Sequence, residues 1–346
     1  MPFNILNSVA KLPKKLGGVQ NLWVAVGDRI NSGIPFYSSP NGKNTWTQGI
    51  GGSITITIFV SVAHGKGTWV AVTWDGNQIA YSINGRVWQT TNAVSYSTGR
   101  GVAYGKDNTG ADLWVIAGAS GSSSLMLWSI NGISWNSSGS IGGSGGSAKA
   151  VAYGKDASGA GLWVAANDQS VNSIRYSSTG KGNWNTASNS GSVSCIAYGK
   201  DASGVGLWLA GSFNILSSAN GSSWNTIPYI TGGILSIACI AYGKDASGAG
   251  LWVAGSQSDP YIGYSSNGNN WYATTSTERN GCQAVNSVAY GIDGSGNGLW
   301  LIHGETASDR TLFHSVNGKN WTMFISSDKP TNLNRVRGIA FNNVDL

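Results

Sequence analysis

The sequence predicts an all-β ring of seven four-stranded blades, a seven-bladed β-propeller, and three observations predict it. Two series of tryptophans alternate along the 346 residues, seven in each, and return every 40 to 50 residues, a period that belongs to solenoids and propellers. The residues around them are β-branched and aromatic, and clusters of Gly, Ser and Asn punctuate them, as for short strands joined by tight turns. No stretch has a capped 3.6-residue period that would argue for helices.

Each unit divides into four strands, A to D. Strand A reads VAYG, as at Val151–Gly154, and strand B reads LWVA, as at Leu162–Ala165. Strand B holds the first tryptophan series: Trp23, Trp69, Trp114, Trp163, Trp208, Trp252 and Trp300. Strand C reads IRYSS, as at Ile174–Ser178, and strand D opens with the second series: Trp46, Trp88, Trp135, Trp184, Trp224, Trp271 and Trp321. A tryptophan offers roughly 150–250 Å² for burial. At about 25 cal/mol per Å² that is on the order of 4–6 kcal/mol as an upper bound, so the repeated indoles are expected to hold the blades together.

The A–B connection is nearly identical from the third unit on: GKDNTGADLW, GKDASGAGLW twice, GKDASGVGLW and GIDGSGNGLW. A phosphate-cradling P-loop needs its lysine after the glycines and a helix behind it, and neither holds. Calcium takes six to eight oxygens, whereas each loop offers one carboxylate: Asp107, Asp156, Asp201, Asp245 or Asp293. The expectation is a plain hairpin without a cofactor, with a weak calcium site as the alternative. The C–D turn contains Asn-Gly in six of the seven copies. Asn-Gly favours tight hairpins because both residues tolerate positive φ.

The turn, as in YSINGRVW and HSVNGKNW, resembles the Asp-box or BNR repeat, SxDxGxxW, of sialidase-like propellers, once per unit over essentially the whole chain. Asn41, Asn84, Asn131, Asn220, Asn267 and Asn317 stand where that family has Asp, Thr179 stands there once, and most turns are one residue shorter. Similar repeats look like those of large DNA virus and phage proteins. That likeness implies, as an alternative role, a structural or surface component of a larger assembly such as a virion.

Seven B–C–D sets need seven A strands, and six units carry their own. For the first unit Asn7–Ala10 competes with Val336–Phe341, whose VRGIAF matches the strand-A pattern better. The C-terminal segment is therefore expected to complete the first blade, joining both chain ends in one sheet and sparing the ring an open edge. Residues 1–18 are read as a tether or edge strand and 19–346 as one propeller domain.

Composition restricts the functional classes. Charged residues are 10% of the chain, against about 25% in typical domains. Of the net +6, half comes from Lys11, Lys14 and Lys15, and no basic stripe of a nucleic-acid binder is present. No apolar run reaches the length of a membrane span, and the N-terminus lacks the long apolar core of a signal peptide. A virion or cell-surface location is the expectation. Cys195, Cys239 and Cys282 are expected to be free, buried thiols.

In an up-and-down blade the A–B and C–D turns share one face of the disc, and the B–C and D–A connections share the other. The near-identical loops thus lie together, and the variable loops occupy the opposite face, where recognition is commonly carried. The candidate binding residues there are Asp28, Arg29, Trp74, Asp75, Asp168, Asp259, Tyr261, His303 and Glu305 from B–C loops, with Arg279 from a D–A connection. Phe213 in a B–C loop, and Tyr96, Arg100, Tyr229 and Glu278 in D–A connections, belong to the same face.

Catalysis is not expected. The family resemblance implies three arginines, a tyrosine–glutamate pair and an acidic group, but the chain has eight arginines, two glutamates and no FRIP-like segment. Other glycosidases need two carboxylates across the bond. Asp75 with Asp168, or Asp259 with Glu305, would be the pairs, and no spacing supports them. His64 replaces a strand-A tyrosine and His314 the tyrosine before an Asn-Gly turn, both as structural substitutions. The expected function is a non-catalytic binding propeller recognising a glycan or a protein surface. A glycoside hydrolase of sialidase type is a further alternative.

Overall fold

The fold is that of a computed structural model, which describes residues 21–342 except 30–32, 52–53, 57, 93–95, 145, 170–172, 189–190, 228–229, 232–235, 258–260, 326–327 and 331–332. Asn7–Ala10 and the rest of the 1–18 segment lie outside these residues, as do Tyr229 and Asp259.

Seven antiparallel sheets form, one per sequence unit. Blade 4 shows the pattern: strand A at Ala148–Lys155, B at Gly161–Asn167, C at Ile174–Ser177 and D at Asn185–Thr186, paired in that order. The other A strands are Phe59–Gly65, Thr98–Lys106, Cys195–Lys200, Ile237–Lys244 and Ala284–Ile292 for blades 2, 3, 5, 6 and 7. Blade 1 takes its A strand from the other end of the chain. Leu333–Phe341 pairs antiparallel with Trp23–Arg29, matching Phe341 to Trp23 and Ala340 to Val24. The A strands neighbour one another in a closed circle, from blade 1 through blade 7 and back, so they line the central channel. The fold is a seven-bladed β-propeller closed by pairing its terminal strands.

Strand sequence explains blade packing. The strand-B tryptophans are buried, and five donate Nε1–H to a carbonyl at the end of the preceding blade's A strand. Trp208 bonds Lys155 O at 2.8 Å, and Trp23 bonds Ile292 O at 2.9 Å across the closure. Each tryptophan also meets the aromatic ring of its own A strand, as in Tyr198–Trp208 at 4.8 Å between centroids. Blade 2 uses His64 against Trp69 at 4.7 Å, and blade 1 uses Phe341 against Trp23 at 5.0 Å. The His64 ring therefore holds the place of the tyrosine. The glycine after the aromatic receives the ring of the next blade; a Cβ on Gly199 would lie 2.3 Å from Tyr242.

The C–D turn differs in one respect from a two-residue hairpin with positive φ at both positions. Of the Asn-Gly pair only the glycine has positive φ; Gly221 sits at 74°. The asparagine works through its side chain instead. Asn220 Oδ1 accepts from Ser222 N at 3.0 Å and Ser223 N at 2.9 Å, while Ser218 Oγ accepts from Gly221 N at 2.8 Å. Such local side-chain bonds close turns without a ladder. Among the second tryptophan series, Trp88, Trp224 and Trp271 bond back to the carbonyl of the turn glycine. Outer edges are covered by passing chain: Ile230–Thr231 runs parallel to strand D of blade 6, and Ile50 bridges Val87. Covered edges do not template aggregation.

Candidate functional site

The two faces of the disc carry different chemistry. On the face of the A–B hairpins, each loop aspartate closes its own turn. Asp201 Oδ1 accepts from Ser203 N, Ser203 Oγ and Val205 N at 2.7–3.0 Å, and Gly204 has φ 83°. Two of these aspartates also take a lysine from the C–D turn of the next blade, Lys181–Asp107 at 2.6 Å and Lys43–Asp293 at 2.8 Å. Lys181 first, then the Thr109 hydroxyl, holds the Asp107 carboxyl well below the usual carboxylate range. These loops adopt the expected hairpin geometry.

On the opposite face the A strands begin, and they build the mouth of the channel. The position four residues before the strand-A aromatic is occupied in turn by Arg337, Val60, Arg100, Lys149, Ser194, Ala238 and Asn286. In six blades it is the extra residue of a β-bulge. In blade 4, for example, Ala148 pairs with Asn167 and Ala150 with Ala166, and Lys149 is left over. A bulge re-aims its side chain out of the ladder. All seven of these residues, with Trp74, Gln257 and Arg335, line one cavity of about 290 Å³. The next position is always small, from Gly101 to Cys195. The one after is always valine or isoleucine, as at Val102, Val151 and Ile339, so an apolar throat lies below a polar mouth.

Four of the lining residues are cations and none is an acid. Carboxylates stand behind them, at or just beyond the ends of B strands. Arg337 Nη2 donates to Asp28 Oδ2 at 2.9 Å, with a second contact from Nε to Oδ1. Lys149 pairs with Asp168 at 3.1 Å, and the Ser147 amide also donates to Asp168 at 2.7 Å. Glu305 takes Arg335, Arg310 and the Asn286 amide, and Gln257 extends the chain by donating to Asn286 at 3.0 Å. Arg100 stacks on Trp74, its guanidinium carbon 3.3 Å from the ring centroid, a cation–π geometry. Burial lowers the Arg100 pKa, and Asp168 pulls the other way. The buried Arg100 Nε and Nη1 find no acceptor.

Of the sequence-predicted residues, Trp74 lines the mouth, and Asp28, Asp168 and Glu305 hold its cations in place. Arg100, read from a D–A connection, lies on the blade 3 A strand and lines the mouth, while Tyr96 is buried in the apolar cluster of Val72 and Trp114. His303 is on strand B, 1% exposed, beneath the mouth rather than on its surface. Burial first, with help from the nearby Arg335, holds its pKa down to about 3. Tyr261 packs partly buried against the apolar cluster of Ile215 and Trp252. Arg29, Asp75 and Arg279 do not line the mouth, and Asp259 is outside the described residues. The imagined carboxylate pairs find Asp168 and Glu305 engaged in ion pairs. Lys149, Arg335 and Arg337 were not among the candidates. Aligning the A strands exposes Lys149 and Arg337, because the fourth position before the aromatic changes character between blades; Arg335 lies two residues earlier still.

No family model and no curated protein sequence matches the chain. Solved structures do. The GH74 enzyme of Niastella koreensis aligns at 16% identity and TM-score 0.56 over 88% of this chain, which spans 43% of that enzyme. YCF48 bound to the D1 peptide aligns at 14% identity and TM-score 0.54, covering 90% of this chain and 89% of that one. Virginiamycin B lyase from Staphylococcus aureus aligns at 9% identity and TM-score 0.57, covering 78% and 85%. At these identities the likeness is one of fold. The propellers it gathers include enzymes and a peptide binder, and fold alone does not choose between them.

Proposed function

We propose that the protein is a binding propeller whose working surface is the mouth of its central channel, and that it holds an anionic partner there, a glycan or the surface of another protein. The observation that carries this reading is the cavity lining: four cations and an indole, with every nearby carboxylate set behind them. Cations focused in a cleft of low-dielectric walls attract counter-charge. The fold-mate that carries a peptide, YCF48, is consistent with a binding role for such a disc.

The test is an array of neutral and acidic glycans and peptides, probed with the full chain. An Arg100→Gln/Lys149→Gln double variant alters the mouth, and a Lys66→Gln/Lys106→Gln variant alters the opposite face. Acidic ligands should be retained by wild type and by the opposite-face variant, lost by the mouth variant, and weakened by salt. Binding that is confined to neutral ligands, or that survives the mouth variant, would sink the proposal.

A further inference from the structure

Arg100 is the mouth cation that no carboxylate pairs with among the described residues. Blades 1, 4 and 7 each set an acid behind their bulged residue: Asp28 behind Arg337, Asp168 behind Lys149, Glu305 behind Asn286. Blade 3 ends its B strand with Ala119 and Ser120, so Arg100 receives none. Its buried Nε and Nη1 lack acceptors, and so does the hydroxyl of Tyr96, which is 5% exposed. An orphaned buried donor is destabilising, so an acceptor entering the mouth recovers what the fold leaves unmade.

Charge and shape narrow the acceptor. At the mouth Arg100, Lys149, Arg335 and Arg337 stand against Asp28, Asp168 and Glu305, and Arg100 is the charge left uncompensated. The bulged cations come from blades 1, 3 and 4 and so line one half of the mouth, on either side of Trp74 in blade 2. A carboxylate is planar and carries one charge. A phosphate monoester carries about two at neutral pH, with three acceptor oxygens that point apart. Trp74 keeps 43% of its surface open beside them, and an aromatic face with a polar neighbour suits a partly apolar ring.

We propose that the channel mouth binds a phosphate monoester carried on a sugar, the phosphate among Arg100, Lys149 and Arg337 and the sugar against Trp74. This rests on the mouth being the binding surface. The chemistry is shared by free sugar phosphates and by the phosphorylated ends of glycans.

Calorimetric titration of the full chain in phosphate-free buffer tests it, with glucose 6-phosphate, a terminally phosphorylated oligosaccharide, inorganic phosphate, glucuronate and glucose as probes. A phosphorylated sugar should bind at least about tenfold more tightly than inorganic phosphate or glucuronate, and glucose should not bind. Arg100→Gln should weaken that affinity roughly tenfold or more, the scale of a hydrogen bond to a charged group, while melting no lower than wild type. Trp74→Leu should erase the advantage of sugar phosphate over inorganic phosphate. Preference for the oligosaccharide over glucose 6-phosphate would assign the source to a glycan end. Glucuronate binding as tightly, or inorganic phosphate alone matching the sugar phosphate (an adventitious ion only), would overturn the proposal. If acidic glycans or peptides then still bind in an Arg100-dependent manner, the anion-binding mouth stands and only its phosphate assignment falls. If no anion binds and the mouth variant changes nothing on the array, both fall.

Discussion

The hairpin face and the mouth face of this disc are made by the same seven units, yet they treat charged groups in opposite ways. On the hairpin face, Asp156, Asp201 and Asp245 each repeat the same three bonds within their own loop. At the mouth, Arg100 Nε and Nη1, Arg335 Nε and both ring nitrogens of His303 lack partners. Local consistency is what folding demands, and departures from it gather where a chain serves something besides folding. The repeated face is thus the part that specifies the ring, and the mouth is the part where the seven units differ.

The largest effect should come from breaking the ring itself. Deleting residues 334–346 removes the buried Val336, Ile339 and Phe341 and the paired bonds between Leu22 and Asn342. Three buried apolar side chains amount to on the order of 5 kcal/mol. A melting temperature lower by roughly 10 °C or more, or loss of a cooperative transition, is expected by calorimetry; unchanged melting would refute closure through the C-terminal strand. A smaller effect should follow from one methyl group on the hairpin face. In Gly221→Ala the new Cβ would lie 2.5 Å from Leu162 at a φ of 74°, and about 1–3 kcal/mol of stability should be lost in denaturant titration. The comparison sharpens against Arg100→Gln, a far larger change that should leave stability intact. Equal losses from both would mean that the faces do not differ as described.

The same contrast explains what was legible in the sequence. The blade count, the turn chemistry and the C-terminal strand could be read because sameness between copies marks them: a tryptophan at each B strand, a glycine at each C–D turn, IAF at 339–341 where other blades have IAY, VAY or VAH. The working face could be read from its variability, and Trp74, Asp28, Asp168 and Glu305 with it. Lys149, Arg335 and Arg337 could not, because they belong to inner strands, where alternation places a side chain on one face of the sheet or the other. A bulge shifts that alternation by one residue, and its signal is spread over seven copies. His303 was misleading for a related reason. It occupies a strand-B position held by Val26, Val72, Ala117, Ala166, Gly211 and Gly255 in the other blades, so it is a polar residue in a buried slot.

That slot supplies the last of the expected effects, small near neutral pH, and it separates the buried histidines from the hairpin-face aspartates by pH. Burial depresses His303 to about 3 and His64 to about 4. Both titrate near 6.5 when unfolded. Below 6.5 the unfolded chain therefore binds protons that the native chain refuses, so stability falls as pH falls, by at most about 1.4 kcal/mol per pH unit for each histidine. The hairpin-face aspartates act lower on the scale. Asp107, Asp156, Asp245 and Asp293 are all held below their ordinary value, so the stability they add is complete above about pH 4 and is lost as pH drops through their native range. Melting followed between pH 7 and pH 2 should thus decline in two stages. A His303→Leu/His64→Tyr double variant should flatten the upper stage and leave the lower one, whereas Lys181→Met should reduce only the lower. An unchanged upper stage in the histidine variant would mean that the buried ring under the mouth is not held neutral, and that the carboxylates around it, Glu305 first, respond to acid before it does.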